Sequence, residues 1–247
     1  MAKNSTLDWI TDHRSERGVN VREFVVQHSG RSVPGALWSP ENPVPGSPMV
    51  VLGHGASGDR FQVSIAAIAR RMARHHGCFG LSIDGPVHGR RAKGDGARTE
   101  FRREWARPGT VQDMTADWKA TIDAVQSLEE VGRGSLGYWG LSMGTIYGAP
   151  LVSAEPRITV AVLGLMGLVG PSEEYKQEIR RAADGITCPV LFINQLDDEL
   201  FARDRCQALF DRIASKDKSM HANPGSHAAV PVAEFDHSEA FLAKHLL

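Results

Sequence analysis

The stretch GYWGLSMGT, residues 137–145, places one serine between two glycines and so matches the pattern G-x-S-x-G. Gly140, Ser142 and Gly144 fill its three fixed positions. The pattern is typical of a sharp turn from a strand into a helix, which exposes the serine hydroxyl. It is also compatible with a turn of small residues that contains a serine by chance. What separates the two interpretations is whether the rest of the chain supplies a base, an acid and donors for an oxyanion.

Length and composition are those of an ordinary globular chain. The protein has 247 residues, 42% of them hydrophobic, and a formal net charge of −1. A chain of this length can bury a substantial core, and the absence of a basic bias argues against nucleic acid as a partner. The longest apolar run, ITVAVLGLMGLVG, is too short to span a bilayer. We therefore expect neither a nucleic-acid nor a membrane partner.

The cysteines indicate the compartment. Cys78, Cys188 and Cys206 are odd in number and far apart, which argues against a disulfide framework and favours a reducing environment. The N-terminal stretch MAKNSTLDWITDHRSERG lacks the apolar core of a secretory signal. Cytoplasmic localisation is therefore expected.

Patterns for metals and cofactors are weak. The chain has no C-x-x-C pair, and the adjacent His75 and His76 lack the i,i+4 spacing of ligands on one helix face. GRGSLG, residues 132–137, matches G-x-G-x-x-G formally, but it follows a predicted helix and precedes a strand, the reverse of a dinucleotide site. We expect neither a metal ion nor an organic cofactor.

Apolar runs and helical periodicities alternate from residue 48 to the end of the chain, and two further strands are predicted at residues 21–28 and 32–39. Such alternation predicts an α/β fold with a mostly parallel central sheet and helices on both faces. We expect residues 1–20 to form an N-terminal extension and residues 21–247 a single domain. In such sheets ligands bind beyond the carboxyl ends of the strands, so the chemistry is expected there.

Four segments of chemical interest follow predicted strands. They are the glycine-rich turn at residues 53–58, the turn at Ser142, the acidic pair Asp197 and Asp198, and the late histidine His227. The order serine, acid, histidine is the order of the hydrolases that carry G-x-S-x-G. Each feature is weak alone, but their joint occurrence at four strand ends favours a serine nucleophile with a base and an acid.

With these motifs the chain resembles the α/β-hydrolase family, in its compact dienelactone-hydrolase-like and small-esterase branch, over residues 48–247. The matching motifs are the nucleophile elbow Gly140–Gly144, the oxyanion turn His54–Ala56, the acid turn Asp198–Phe201 and the histidine turn Gly225–His227. The family often has glycine where this chain has Gln195, so Asp197 remains an alternative acid, and the spacing to Phe201 favours Asp198. Dienelactone hydrolases have a cysteine nucleophile, whereas this chain has serine.

The resemblance implies a serine hydrolase that cleaves small or medium carboxylic esters through an acyl-enzyme, without a cofactor. Ser142 is then the nucleophile, His227 the base and Asp198 the residue that orients it, and the backbone N–H groups of Ala56 and Met143 bind the oxyanion. The same triad fits a peptidase, thioesterase, acyltransferase or C–C hydrolase, and the fold alone fits a non-catalytic binding protein. The expected partner is a small-molecule ester, and the expected state is a monomer or homodimer.

The other histidines have plainer expected roles. Turn residues are expected at His54 and His88, and surface or packing residues at His221, His237 and His245. Of these, His237 is the one rival to His227 as base.

Two further segments bear on the substrate. After residue 164 the chain has room for one loop and one helix before the next strand, so no large cap domain is expected. The candidate walls of the resulting open pocket are Met166, Leu168, Val169 and Phe201. The charged stretch at residues 90–107 is either a mobile lid that attracts acidic substrates or a solvated helix with internal ion pairs.

Overall fold

The computed structural model describes residues 6–16, 18–94 and 97–247. Within these ranges ten strands form one sheet. The strands are β1 (Thr6–Trp9), β2 (Arg14–Glu16), β3 (Val19–His28), β4 (Arg31–Pro40), β5 (Met49–Gly53), β6 (Phe79–Ile83), β7 (Leu136–Gly140), β8 (Ile158–Gly164), β9 (Val190–Gln195) and β10 (Lys218–Asn223).

Seven α-helices accompany the sheet in the same part of the chain. They are α1 (Val63–His76), α2 (Ala97–Trp105), α3 (Thr110–Gln126), α4 (Met143–Ala154), α5 (Glu173–Gly185), α6 (Arg203–Arg212) and α7 (Ala233–Leu246). Among the described residues, none of these helices combines the length and the apolar character that crossing a membrane requires.

The sheet has the order β1-β3-β4-β6-β5-β7-β8-β9-β10, and β2 pairs with β3. The six strands from β6 to β10 in this order pair in parallel, whereas β4 joins β6, and β3 joins β4, in antiparallel fashion. The predicted mostly parallel sheet is therefore confirmed. After β5 the chain runs to β6 on one side and then crosses to β7 on the other. Such a reversal opens a crevice at the carboxyl ends of the neighbouring strands.

The described part of the predicted N-terminal extension continues the sheet. β1 and β2 both pair antiparallel with β3. The boundary predicted between residues 20 and 21 lies inside β3, which begins at Val19.

One buried apolar cluster lies on each face of the sheet. Along β5, Val51 belongs to one cluster and Val50 to the other, as expected for side chains that alternate between two faces. Trp118 of α3 lies in the first cluster, and Ile68 of α1 and Leu242 of α7 lie in the second. Helices therefore cover both faces, and the close-packed interior fixes the strand ends from which the functional loops start.

Candidate active site

Ser142 occupies a strained turn between β7 and α4. It precedes the first residue of α4 with φ 58° and ψ −119°, and a residue other than glycine rarely has a positive φ. Its neighbours are glycines for steric reasons: a Cβ on Gly144 would lie 2.3 Å from the Gly53 carbonyl oxygen, and one on Gly140 would lie 3.0 Å from it. The pattern G-x-S-x-G thus forms a strand-to-helix elbow that packs closely against the end of β5.

A continuous chain of hydrogen bonds links Ser142, His227 and Asp198. The Ser142 Oγ lies 2.9 Å from His227 Nε2, and His227 Nδ1 lies 2.8 Å from Asp198 Oδ2. Because a carboxylate only accepts, Nδ1 carries the hydrogen and donates it, which leaves Nε2 free to accept the serine proton. The other Asp198 oxygen accepts the backbone N–H groups of Leu200 and Phe201, at 2.8 and 2.9 Å. The arrangement can deprotonate a serine hydroxyl and stabilise the resulting imidazolium.

The two neighbouring acids contact the backbone of the histidine loop instead. Asp197 Oδ2 accepts the Gly225 N–H at 3.1 Å, and Glu199 Oε2 accepts the His227 backbone N–H at 2.9 Å. Of these three acids, the structure places Asp198 against the imidazole. Three consecutive carboxylates therefore hold one loop at three different points.

Gln195 replaces the glycine that the family often has at this position, and it supports the same loop. Its Nε2 donates to the carbonyl oxygens of Ala229, at 2.8 Å, and of Ser226, at 3.3 Å. The side chain is buried at the end of β9, where a polar group needs hydrogen-bond partners. Sequence reasoning missed this role, although the departure from the family pattern was its visible signal.

The rival base His237 lies elsewhere. It is on α7, with its ring 5.0 Å from the ring of His221 and its Nδ1 3.6 Å from Glu234 Oε2. His237 therefore takes no part in the hydrogen-bond chain that reaches Ser142.

Two backbone N–H groups are available beside the elbow. Met143 is the first residue of α4, and the first N–H groups of a helix have no partner within it. Ala56 lies in the turn after β5. Among the hydrogen bonds of the described residues, neither N–H group is a donor. Both suit the expected oxyanion role, which stays a prediction.

His54 fixes the direction of the Ala56 N–H. Its Nδ1 lies 2.8 Å from the Gly55 carbonyl oxygen, and its Nε2 accepts the Gly85 N–H at 2.8 Å. Nδ1 must then be the donor to Gly55. The Gly55 carbonyl and the Ala56 N–H belong to one trans peptide and point in opposite directions. Because His54 holds the Gly55 carbonyl, the Ala56 N–H points away from His54. From the sequence, His54 was predicted only to be a turn residue.

Burial keeps the His54 ring neutral and lowers its pKa from 6.5 to about 4. His88 covers the same turn from the other side, because its Nε2 lies 3.1 Å from the Ala56 carbonyl oxygen and its ring lies 5.3 Å from that of His54. Both histidines are buried. The two rings together hold the peptide groups on either side of the Ala56 Cα.

The lowered pKa of His54 predicts a pH-dependent stability. As the pH falls from 6.5 towards 4, the unfolded chain takes up a proton at His54 and the folded protein does not. The free energy of unfolding is therefore fully retained above pH 6.5 and falls below it, by at most about 3 kcal/mol from this residue.

The measurement is urea unfolding at several pH values across this range, for the parent and for His54→Asn. Asparagine keeps a donor for Gly55 but cannot titrate. We expect a shallower pH dependence in the variant, and equal slopes would contradict the account of His54.

The predicted pocket residues differ in accessibility. Phe201 is buried with its ring 5.7 Å from the His227 ring, and Leu168 and Val169 are half-buried. Met166 is completely buried, because it packs into the core just after β8 rather than lining the loop. Its expected role as a wall residue is therefore corrected, while Leu168, Val169 and Phe201 stay predictions.

The charged stretch at residues 90–107 contains ion pairs and an apolar contact. Arg91 pairs with Asp117 at 2.9 Å, and Arg107 pairs with Glu104 at 2.8 Å. Phe101 of α2 is buried against the His88 ring at 5.5 Å. Ion pairs support the interpretation as a solvated helix, and the Phe101 contact joins that helix to the oxyanion turn. Asp95 and the side chain of Arg98 lie outside the described residues.

Comparison with known proteins finds similarity to solved esterases. The sequence matches no family model and none of the curated proteins. The chain is similar to a PEG-bound cold-adapted esterase from an Arctic intertidal metagenomic library, at 36% identity, 97% coverage of this chain, 100% of that chain and TM-score 0.86. A zinc-bound structure of such an Arctic esterase matches at 35% identity, with 97% and 100% coverage and TM-score 0.82. Acetyl xylan esterase 1 from a Thermoanaerobacterium species matches at 15% identity, 99% and 89% coverage and TM-score 0.73, which is a likeness of fold alone.

Proposed function

The chain belongs to the esterases of the α/β-hydrolase family, and we propose that it hydrolyses small or medium carboxylic esters through an acyl-enzyme on Ser142. The observation that carries this proposal is the hydrogen-bond chain from the Ser142 Oγ through the imidazole of His227 to Asp198. An elbow that exposes the serine and two available backbone N–H groups beside it support the same chemistry.

In the first half-reaction His227 Nε2 accepts the hydroxyl proton as the Ser142 Oγ attacks the acyl carbon. The former carbonyl oxygen becomes an oxyanion, to which the N–H groups of Met143 and Ala56 donate. His227 then transfers the proton to the departing alcohol, and the acyl group stays on the serine as an ester. Asp198 stabilises the imidazolium while it exists.

Deacylation repeats these steps with water. His227 accepts a proton from water, whose oxygen attacks the acyl carbon, and then returns the proton to the Ser142 Oγ as the acid is released. The cycle transfers only protons and one acyl group, so it uses no cofactor.

Small or medium esters are favoured by the short connection between β8 and β9. It contains one loop and α5, which is too little chain for a large cap over the elbow. The other triad chemistries remain alternatives. Hydrolysis of an amide or a thioester, or acyl transfer to a second alcohol, would distinguish them from ester hydrolysis.

For the compartment we propose the cytoplasm, in keeping with three free cysteines, two of them buried.

The test combines a fluorophosphonate probe with p-nitrophenyl esters from acetate to laurate. We expect Ser142-dependent labelling and a kcat/KM that is highest for the shorter acyl groups. The matched control is Ser142→Ala, which should be neither labelled nor active. Labelling without ester turnover would favour another triad chemistry, and absence of both would favour a binding protein.

A further inference from the structure

Away from the triad, two histidines converge on one buried carboxylate. His221 lies on β10, and Glu234 and His237 lie on the first turns of α7. Their ligand atoms all lie within 4.8 Å of one another. We propose that these three side chains bind a divalent transition-metal ion of the zinc class, outside the catalytic triad and with a structural role.

The spacing suits such an ion. The two Nδ1 atoms lie 2.9 and 3.6 Å from the same oxygen, Glu234 Oε2. Metal–ligand bonds of about 2.0–2.1 Å in tetrahedral geometry put neighbouring ligand atoms about 3.3 Å apart. The observed distances fall on either side of this value, so small rotations of the exposed His237 ring and the half-buried His221 ring are enough to bring all three atoms onto one ion. Imidazole nitrogen and carboxylate oxygen are also the usual ligands of zinc.

The carboxylate is oriented and has no competing cation. Glu234 is 3% exposed, and its second oxygen accepts Asn223 Nδ2 at 3.1 Å. Outer hydrogen bonds of this kind hold a ligand in its binding orientation. In the part of the chain that the structure describes, the partners of Glu234 are two histidines and an asparagine, with no lysine or arginine. A buried negative charge without a fixed positive partner is stabilised by a bound cation.

A second group, His75, His76 and Glu239, shows the contrast. There Glu239 is already paired with the Arg71 guanidinium at 2.9 Å, and Arg71 also contacts Asp236. A permanent positive charge beside the carboxylate repels a metal ion and competes for its ligand. This group is therefore an ion-pair network, and it provides a matched control.

The position of the proposed site explains what the ion would do. His221 precedes the loop that carries His227, and Glu234 and His237 follow it. The ion would link the end of β10 to the start of α7 and so close the base of that loop. It would stabilise the folded protein, since an ion that binds only the native state shifts the unfolding equilibrium by mass action.

The experiment is calorimetric titration of chelator-treated protein with zinc chloride, for the parent, His221→Asn, His237→Asn and the control His75→Asn. We expect one ion per parent chain and unchanged binding in the control. Each of the other two variants should bind at least about 100-fold more weakly, because even outer partners of a metal are worth roughly 10–100-fold in affinity. His237 is exposed, so its replacement leaves the fold intact.

Thermal unfolding gives an independent readout. Zinc at roughly a hundred times its dissociation constant should raise the Tm of the parent and the control by about 5–10 °C, and should leave both cluster variants unchanged. No zinc binding by the parent, undiminished binding by the two cluster variants, or loss of binding in His75→Asn would each overturn the proposal. None of these outcomes depends on ester hydrolysis, so the proposed function is tested separately.

Discussion

Replacing Ser142 by alanine should lower kcat by roughly 10⁶-fold, the effect of removing the nucleophile in a comparable triad. Without the Oγ no acyl-enzyme forms, and the base has no proton to accept. Alanine tolerates the positive φ of this turn about as well as serine does, so the backbone of the elbow is unaffected. The measurement is the steady-state rate on one short aryl ester, with circular dichroism and Tm to report the fold.

The matched control is Ser226→Ala, the same chemical change one residue before His227. Its backbone carbonyl, rather than its hydroxyl, is the group that Gln195 contacts. This variant should keep nearly all activity. If purified Ser142→Ala kept a tenth of the parent rate, Ser142 would not be the nucleophile.

Replacing Asp198 by asparagine should lower kcat by about 10⁴-fold, as the equivalent change does in a serine protease triad. The amide that replaces the carboxylate can donate to Nδ1, which then favours the tautomer with hydrogen on Nε2. That nitrogen can no longer accept the proton of Ser142. The charge that stabilises the imidazolium is lost as well.

Asp197→Asn is the control for this prediction. The amide oxygen can still accept the Gly225 N–H that Asp197 now holds. Changing one such hydrogen bond is worth about 1 kcal/mol, so the rate should stay within about tenfold of the parent. Similar losses in both variants, or a larger loss for Asp197→Asn, would reassign the orienting acid.

The features that the sequence predicts well have a local pattern. The buried strands β5 to β9 are short apolar runs that end in, or are followed by, a glycine or a polar residue, and the elbow is a five-residue motif. The edge strands β1 and β2 were missed because three or four mostly polar residues carry too little periodicity. They are strands because β3 offers them an unpaired edge.

The supporting contacts of the site are not local and were therefore not predicted. Gln195 and Glu199 hold a loop about thirty residues further along the chain, a contact that exists only because β9 and β10 are neighbours. The group at His221 and Glu234 spans a strand and a helix in the same way. The only part of this group that is visible in the sequence is the i,i+3 spacing of Glu234 and His237.

The placement of β10 has a consequence for how the enzyme fails. β10 is the last strand at its end of the sheet, pairs with β9 and leads directly to His227, the proposed base. Terminal strands with partly exposed residues open at lower free energy than the interior of a protein. Opening of β10 would move His227 away from Ser142 while the other parallel strands stayed paired. On heating, activity would then be lost at a lower temperature than that of global unfolding. Local opening at β10, and not unfolding of the whole protein, would set the highest temperature at which the enzyme works.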